Sequence, residues 1–526
     1  IVKSYVGGGF GNKTDVITEV IVAALTIAVG GRPVMLEYTR EEVMCATRTR
    51  HGVSFKIRTG VNNEGRILAK EMLAISNTGA YGSHGNCVTA GMGSGFLDTY
   101  PAELGAKFEG ITAYTNIAVA GAMRAYGMPQ VNFAMESQLD EIAEELGLDP
   151  IEIREKNIIK VGDLYPSEYG APLNTCAFPE CFSRLKEVSD WDKKRKQYSV
   201  ENTGDKRKGI GMASFIFHSG TAPWDLECAG ARMTLNQDGS LLVLVGATEI
   251  GQGSETVFTQ IAAEATGILF EKVYVEQSTD TDISPFDLGA YATRQTYISG
   301  QAVLKAGKEI HEKILSYASD ETGINQSELV VVDGQVVRIV ENEPVVSVEE
   351  IAMKSYYTKT TKGYITTDAF VNINDIAITV GATVAEVEVD IKTGQVEILD
   401  ICNIMDCGTV LNPSLASGQV HGGMGQSIGM ALTEIMLFDA KGRLLNDNLL
   451  DYKVPTIMDT PELGVEFIET YEPTGPYGAK GLGEPPTVTP SQAIRNAVFH
   501  ATGVRVNELP MNPQKLFERF SEEGLI

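Results

Sequence analysis

Three clusters of glycine, far apart in a chain of 526 residues, stand at or around segments with helical periodicity. They are Gly7-Gly8-Gly9-Phe10-Gly11 before Asp15, Gly251-Gln252-Gly253 before Ser254, and Gly418 to Gly425. A glycine loop that opens into a helix leaves backbone N–H groups unpaired at the positive end of the helix dipole, a ready seat for phosphate or another anion. One such loop is weak evidence, because glycine also serves tight turns and close packing. Several in one chain point to a single large phosphorylated ligand held by loops from separate parts of the sequence.

The length suits two or three domains with buried interiors. The periodicity predicts an α+β fold. Asp15 to Val29 reads as a buried helix ended by Gly30-Gly31. Val34 to Tyr38, Ser54 to Thr59 and Ile67 to Ser76 read as strands, with a hairpin-type turn at Asn62 to Gly65. Val131 to Leu146 is a helix stopped by Gly147, while Pro166 to Pro179 and Asp190 to Lys208 look like surface connections. A boundary near residue 205 follows, giving domains 1–205 and 206–526. Beyond it come strands at Ala229 to Leu235, Leu241 to Gly246 and Val273 to Gln277, helices at Ser254 to Thr266 and Gln301 to Ala318, and a hairpin over Val384 to Ile398.

A net charge of −26 disfavours nucleic acid and anionic membrane surfaces as partners. No apolar run reaches the ~20 residues of a spanning helix. The seven cysteines are odd in number and widely spread, which fits reduced thiols and a cytoplasmic setting better than a disulfide framework. The six histidines show no metal-binding spacing, and Ser278 to Asp282 reads as a turn rather than a cation site. Asn12 breaks the Walker A pattern before Lys13-Thr14. Gly425-Gln426-Ser427-Ile428-Gly429 matches a nucleophile elbow, but its surroundings read as helix without a preceding strand, so Ser427 is expected to pack rather than react.

Six short motifs then occur in order: GGGFGNK at Gly7 to Lys13, AMRAYGMPQ at Ala122 to Gln130, TEIGQG at Thr248 to Gly253, GQAV at Gly300 to Val303, GQVHGGMGQ at Gly418 to Gln426 and GEPP at Gly483 to Pro486. Together they resemble the molybdenum-cofactor-binding large subunit of the xanthine dehydrogenase and aldehyde oxidase family, over nearly the whole chain. The resemblance implies two cofactor-binding domains of mixed sheets and helices with the cofactor between them. It implies a molybdenum held by the dithiolene of a pterin, as molybdopterin or its cytosine dinucleotide form, and not by protein ligands. It places Gly9, Phe10 and Gly11 near the metal and Arg124 and Ala125 near the pterin. Gln252, Gly253 and Gln426 would contact the cofactor, and Thr293 and Gln295 its phosphate end. Tyr126, Tyr291 and Ala292 would line the substrate pocket. Glu484 matches the catalytic carboxylate, the base in hydroxylation of an electron-poor carbon with water-derived oxygen.

The pattern departs from purine-oxidising relatives at Thr14, where they carry Glu, and near Gly91, where they carry a substrate-binding Arg. Purine recognition of the xanthine kind is therefore not expected. The resemblance also implies an iron–sulfur subunit with [2Fe-2S] clusters and an FAD subunit as electron acceptors. The family's segment before the first motif is expected from another subunit, or the chain is a truncation. The readings set against a catalytic hydroxylase subunit for an N-heterocycle or aldehyde are an inactive or truncated cofactor-binding module and, on Ser427, a serine hydrolase.

Overall fold

In the computed structural model, the described residues are 1–163, 173–221, 227–276, 279–357, 362–373 and 375–526. They form an α+β fold with two four-stranded and two three-stranded sheets. The central sheet runs Leu463–Phe467, Gln395–Asp406, Ala377–Asp390, Lys206–Ser219. Its two long antiparallel strands Lys206–Ser219 and Ala377–Asp390 are buried in near-continuous runs because the sheet is covered on both faces. On one side lies the helix Pro490–Thr502, nearly every residue of which is buried. It approaches so closely that a Cβ on Gly209 or Gly211 would fall 2.0–2.1 Å from the Ala497 backbone. Only glycine fits there.

The N-terminal half is joined to this sheet by a buried polar knot. Arg154 Nε donates to Glu136 at 2.8 Å, the Ser214 amide donates to the same carboxylate at 3.0 Å, and Tyr100 also donates to it. Such a charge pair is retained only where every partner is satisfied. The helix Met128–Leu146 carries Glu136 and ends at Gly147 in the left-handed conformation, as its sequence predicts.

A second four-stranded sheet, Thr366–Asn372, Cys228–Leu235, Leu241–Val245, Val273–Val275, packs against the helices Ser254–Thr266 and Gly300–Thr322. The hairpin of Gly52–Val61 with Ile67–Gly79 is also as expected, and Gly105–Tyr114 adds to it in parallel. Among the described residues no helix is long and apolar enough to cross a membrane.

Three expectations fail. The helix over 15–29 forms as Glu19–Ala28, but none of it is buried, with Val20 63% and Ile27 80% exposed. Apolar periodicity marks a surface that gains from cover without showing what covers it. Val34 to Tyr38 forms no strand and pairs with none of the described sheets. Asp190 to Lys208 is not a surface connection: it holds the helix Trp191–Glu201 and the start of a strand, anchored by the fully buried Trp191 beneath the Arg195 guanidinium. Its charged residues hide two buried aromatic side chains, Trp191 and Tyr198. Pro166 to Pro179 lies partly outside the described residues; its described end begins the helix Phe178–Ser189.

Candidate active site

Four of the six motifs meet at Arg124, those around Phe10, Arg124 itself, Gln419 to Gln426 and Gly483. Its amide donates to Phe10 O at 2.8 Å, and its guanidinium lies 5.9 Å from the Phe10 ring. Nε donates to Gly483 O at 2.7 Å, Nη2 to Gln419 O at 2.9 Å, and Nη1 reaches Gln426 Oε1 at 3.5 Å. Burial lowers the Arg124 pKa to about 10 against the pull of Glu484, leaving it charged at neutral pH. Gly11 lies so close beneath this turn that a Cβ would sit 2.6 Å from the Ala122 carbonyl. Gly8 ties the same loop to Ile250 at 2.9 Å, beside Gln252.

Glu484 stands at the centre. Oε1 accepts from the Ala125 amide at 2.9 Å and Oε2 from the Thr293 hydroxyl at 3.0 Å, while the Glu484 amide donates back to Thr293 Oγ1 at 3.2 Å. The two clamps have one design. Ala125 and Tyr126 hold φ of 72° and 42°, and Ala292 and Thr293 hold 48° and 55°. Pairs of non-glycine residues in this region are strained, and such strain persists only where surrounding structure enforces it. Behind Thr293 the enforcer is Arg294, fully buried, donating to Glu227 at 2.7 Å and Cys228 O at 2.6 Å and paired with Asp287. Behind Ala125 it is Arg50, whose Nη2 donates to the Arg124 carbonyl at 2.8 Å. Burial pushes the Glu484 pKa up, only partly offset by the Ala125 and Thr293 hydrogen bonds and by Arg124 and Arg50. A carboxyl raised in this way, with lone pairs still free, suits proton transfer.

The structure thus brings Gly9, Phe10, Gly11, Arg124, Ala125, Thr293, Gln426 and Glu484 into one network. Thr293, expected toward a phosphate end, sits on the carboxylate instead. Gln252 and Gln295 bond each other, and both donate to Thr248 O at 2.9 Å. Tyr291 and Ala292 flank the Thr293 clamp, with Ala292 O accepting from Gly220 N at 2.9 Å. Tyr126 follows Ala125 directly, and its hydroxyl meets His84 Nδ1 at 2.7 Å.

The glycine clusters do not all act as free helix ends. The helix Ser254–Thr266 does start at Gly253, but Glu249 already caps it, accepting from Gly251 N at 2.7 Å, Gly253 N at 3.1 Å and Glu255 N at 3.1 Å. These bonds outweigh burial and lower the Glu249 pKa. Gly7 to Gly11 precedes a turn, the helix beginning only at Glu19. Gly418 to Gly425 lies inside the helix Pro413–Leu432, its amides internal to the helix. There the glycines play two parts: a Cβ on Gly418 or Gly425, like one on Gly483 outside the helix, would meet nothing within 4 Å, whereas one on Gly423 would fall 2.6 Å from Pro486, so that glycine lets the GEPP segment pack close.

Sequence reasoning missed Arg50, Gln419 and His84. Gln419 lay inside a quoted motif, whereas isolated Arg50 and His84 carry no local signal. Ser427 is fully buried in the helix Pro413–Leu432, with Oγ accepting from Ser491 N at 2.9 Å and no strand leading into it. The nucleophile-elbow reading fails on that geometry.

Sequence models of the molybdopterin cofactor-binding domain match residues 1–158 and 184–461, and the chain belongs to the xanthine dehydrogenase and aldehyde oxidase family of molybdopterin-binding oxidoreductases. It is 43% identical to the xanthine dehydrogenase molybdenum-binding subunit of Escherichia coli O157:H7 over all of its own length and 70% of that protein. Quinoline 2-oxidoreductase from Pseudomonas putida 86 superimposes with a TM-score of 0.91 at 26% identity, over 98% of this chain and 68% of that one. CO dehydrogenase from Oligotropha carboxidovorans shares the fold, with a TM-score of 0.90 at 24% identity over 100% and 68%.

Proposed function

We propose that this chain is the catalytic, molybdenum-cofactor-binding subunit of a hydroxylase that oxidises an N-heterocycle or an aldehyde with water-derived oxygen. The observation that carries this reading is the clamped, desolvated Glu484 at the point where motif loops from both ends of the chain converge. The residues fit a pterin-held metal on two grounds. Open space faces Gly418, Gly425 and Gly483. Arg50 Nη1 is a buried donor without a hydrogen-bond partner beside the base.

When bound, the cofactor supplies the oxidant, taking two electrons from the substrate carbon. The chain does the rest. Glu484 accepts the proton of the water-derived oxygen nucleophile at a carboxylate oxygen, and Ala125 and Thr293 hold that carboxylate in place. Arg124 ties loop 7–11 to the helix Pro413–Leu432 and to Gly483, and Gln252, Gly253, Gln295 and Gln426 flank the cofactor space. Tyr126, Tyr291 and Ala292 border the substrate. The relatives named for xanthine and quinoline support a heterocycle. Thr14 and Gly91 argue against xanthine itself, since a side chain at Gly91 would meet the Tyr126 carbonyl at 3.1 Å.

Electrons leave to partner subunits carrying [2Fe-2S] clusters and FAD. A further segment or subunit covers the exposed apolar helix Glu19–Ala28, and the fold divides near residue 205. The setting is cytoplasmic. The test is metal and pterin analysis of the native complex with a substrate screen: about one molybdenum per chain and hydroxylation of a heterocycle or aldehyde are expected. A metal-free complex without turnover would overturn the proposal.

A further inference from the structure

Asp15, His84 and Tyr126 form a chain of hydrogen bonds that the chemistry above does not use. Asp15 lies just after the first glycine loop, His84 caps the helix Gly85–Asp98, and Tyr126 is the residue after the Ala125 clamp. Tyr126 Oη and His84 Nδ1 are 2.7 Å apart, and His84 Nε2 and Asp15 Oδ1 are 3.0 Å apart. The other Asp15 oxygen is occupied by Ser83 Oγ at 2.6 Å and by Arg48 Nε. These partners overcome burial and keep Asp15 ionised.

An ionised carboxylate only accepts, so the nitrogen facing Asp15 must carry the hydrogen. In a neutral imidazole the other nitrogen, Nδ1, is then an acceptor, and the partner on one ring nitrogen fixes the role of the other. Tyr126 must therefore donate its hydroxyl hydrogen to Nδ1. Cys87, exposed, is a second hydrogen-bond partner of the phenol, but its sulfur is a weaker acceptor than the imidazole nitrogen, so the hydroxyl hydrogen goes to Nδ1. With its hydrogen committed, the phenol oxygen has only lone pairs left.

We propose that Asp15 and His84 lock Tyr126 as a hydrogen-bond acceptor toward the substrate, so that the site selects a heterocycle presenting a ring N–H. Tyr126 is the specificity-determining residue, and Asp15 and His84 are positioning residues acting through it. This rests on the functional reading above only in assuming that Tyr126 borders the substrate. It also shows how recognition works at a site with Thr14 and Gly91 in place of charged residues: a neutral acceptor of fixed polarity replaces them.

The polarity can be reversed. In Asp15→Asn the side-chain amide can donate to Nε2, which favours the Nδ1–H form of His84; Tyr126 then accepts from His84 and its own O–H is freed to donate. Loss of the correct tautomer on Asp→Asn replacement has precedent in the serine-protease triad.

The experiment has two arms. In ¹⁵N-histidine-labelled full chain, with His84 assigned by comparison with His84→Gln, long-range ¹H–¹⁵N spectra read the tautomer without any need for cofactor. We expect Nε2–H in the native chain and a shift toward Nδ1–H in Asp15→Asn. In the holoenzyme complex, kcat and KM are measured for quinazolin-4(3H)-one, which carries a ring N–H, its N3-methyl derivative and quinoline. Tyr126→Phe should raise KM for the N–H substrate roughly 5–10-fold more than it does for the substrates lacking that N–H, the loss of one hydrogen bond. Asp15→Asn should invert the preference.

A native Nδ1–H or imidazolium signal, or equal losses on all substrates in Tyr126→Phe, would overturn the inference. Absence of turnover with every heterocycle and aldehyde would count against the proposed function, and the tautomer arm would still decide the polarity of Tyr126.

Discussion

Replacing Thr293 by Val removes the hydroxyl that donates to Glu484 Oε2 at 3.0 Å while keeping the branched side chain that already tolerates a φ of 55°. The hydroxyl favours the charged carboxylate and lowers its pKa, so its loss pushes the pKa of Glu484 further up. A hydrogen bond to a charged group is worth about 1.5–3 kcal/mol, and one pKa unit corresponds to about 1.36 kcal/mol. The expected shift is therefore about one to two units toward higher pH. A base must be ionised to accept a proton, so the acid limb of kcat/KM moves alkaline by that amount. Well below the limb, activity falls about 10- to 100-fold. The plateau at high pH survives, because Ala125 still holds Oε1. Thr293→Ser, which keeps the hydroxyl, should restore the limb. The assay is a pH–rate profile on holoenzyme matched for molybdenum content. An unmoved limb, or one displaced toward lower pH, would refute the reasoning.

The other predictions test the scaffold. Gly11→Ala places a methyl 2.6 Å from the Ala122 carbonyl at a φ of 100°; lifting loop 7–11 off Arg124 should lower both melting temperature and bound molybdenum, and a native melt with full metal content would contradict it. Arg294→Gln strands Glu227 and Asp287 in the interior and should cost about 3–5 kcal/mol in denaturant titration. Arg232→Ala breaks a pair whose side chains are 41% and 59% exposed and should cost under about 1 kcal/mol; similar losses in the two would show that burial is not what makes the Arg294 cluster matter. Ser427→Ala should leave turnover unchanged, and a serine-reactive probe should fail to label the native chain.

The site was legible where function and local pattern coincide. Gly11, Arg124 and Glu484 sit in short motifs because a close backbone approach, a bridging guanidinium and a carboxylate clamped from two loops each demand one residue type at one place. The helices Ser254–Thr266 and Met128–Leu146 were legible because their apolar spacing and glycine stops are local. Arg50 and His84 were not, because their roles arise from contacts with residues far along the chain, Arg124 and Asp15. The helix Glu19–Ala28 was misjudged for a related reason: its composition reports the cost of exposure, not the presence of a neighbour. The charged segment after Asp190 misled because the buried Trp191 and Tyr198 outweigh many solvated lysines. The glycines of Gly418 to Gly425 were rightly singled out but for the wrong physics. Gly418 and Gly425 leave room beside a helix and Gly423 lets Pro486 approach it, rather than exposing its amides.

The most direct test of the central claim is Glu484→Gln in the native complex, with molybdenum content and turnover measured on the same sample. Glutamine keeps the size, and its one amide oxygen can still accept from the Ala125 amide while its NH2 turns to Thr293 Oγ1, but it cannot take a proton. The account predicts metal content equal to the native complex and turnover lost by at least about 100-fold, the lower range for general-base catalysis. Turnover near the native rate with metal retained would contradict it.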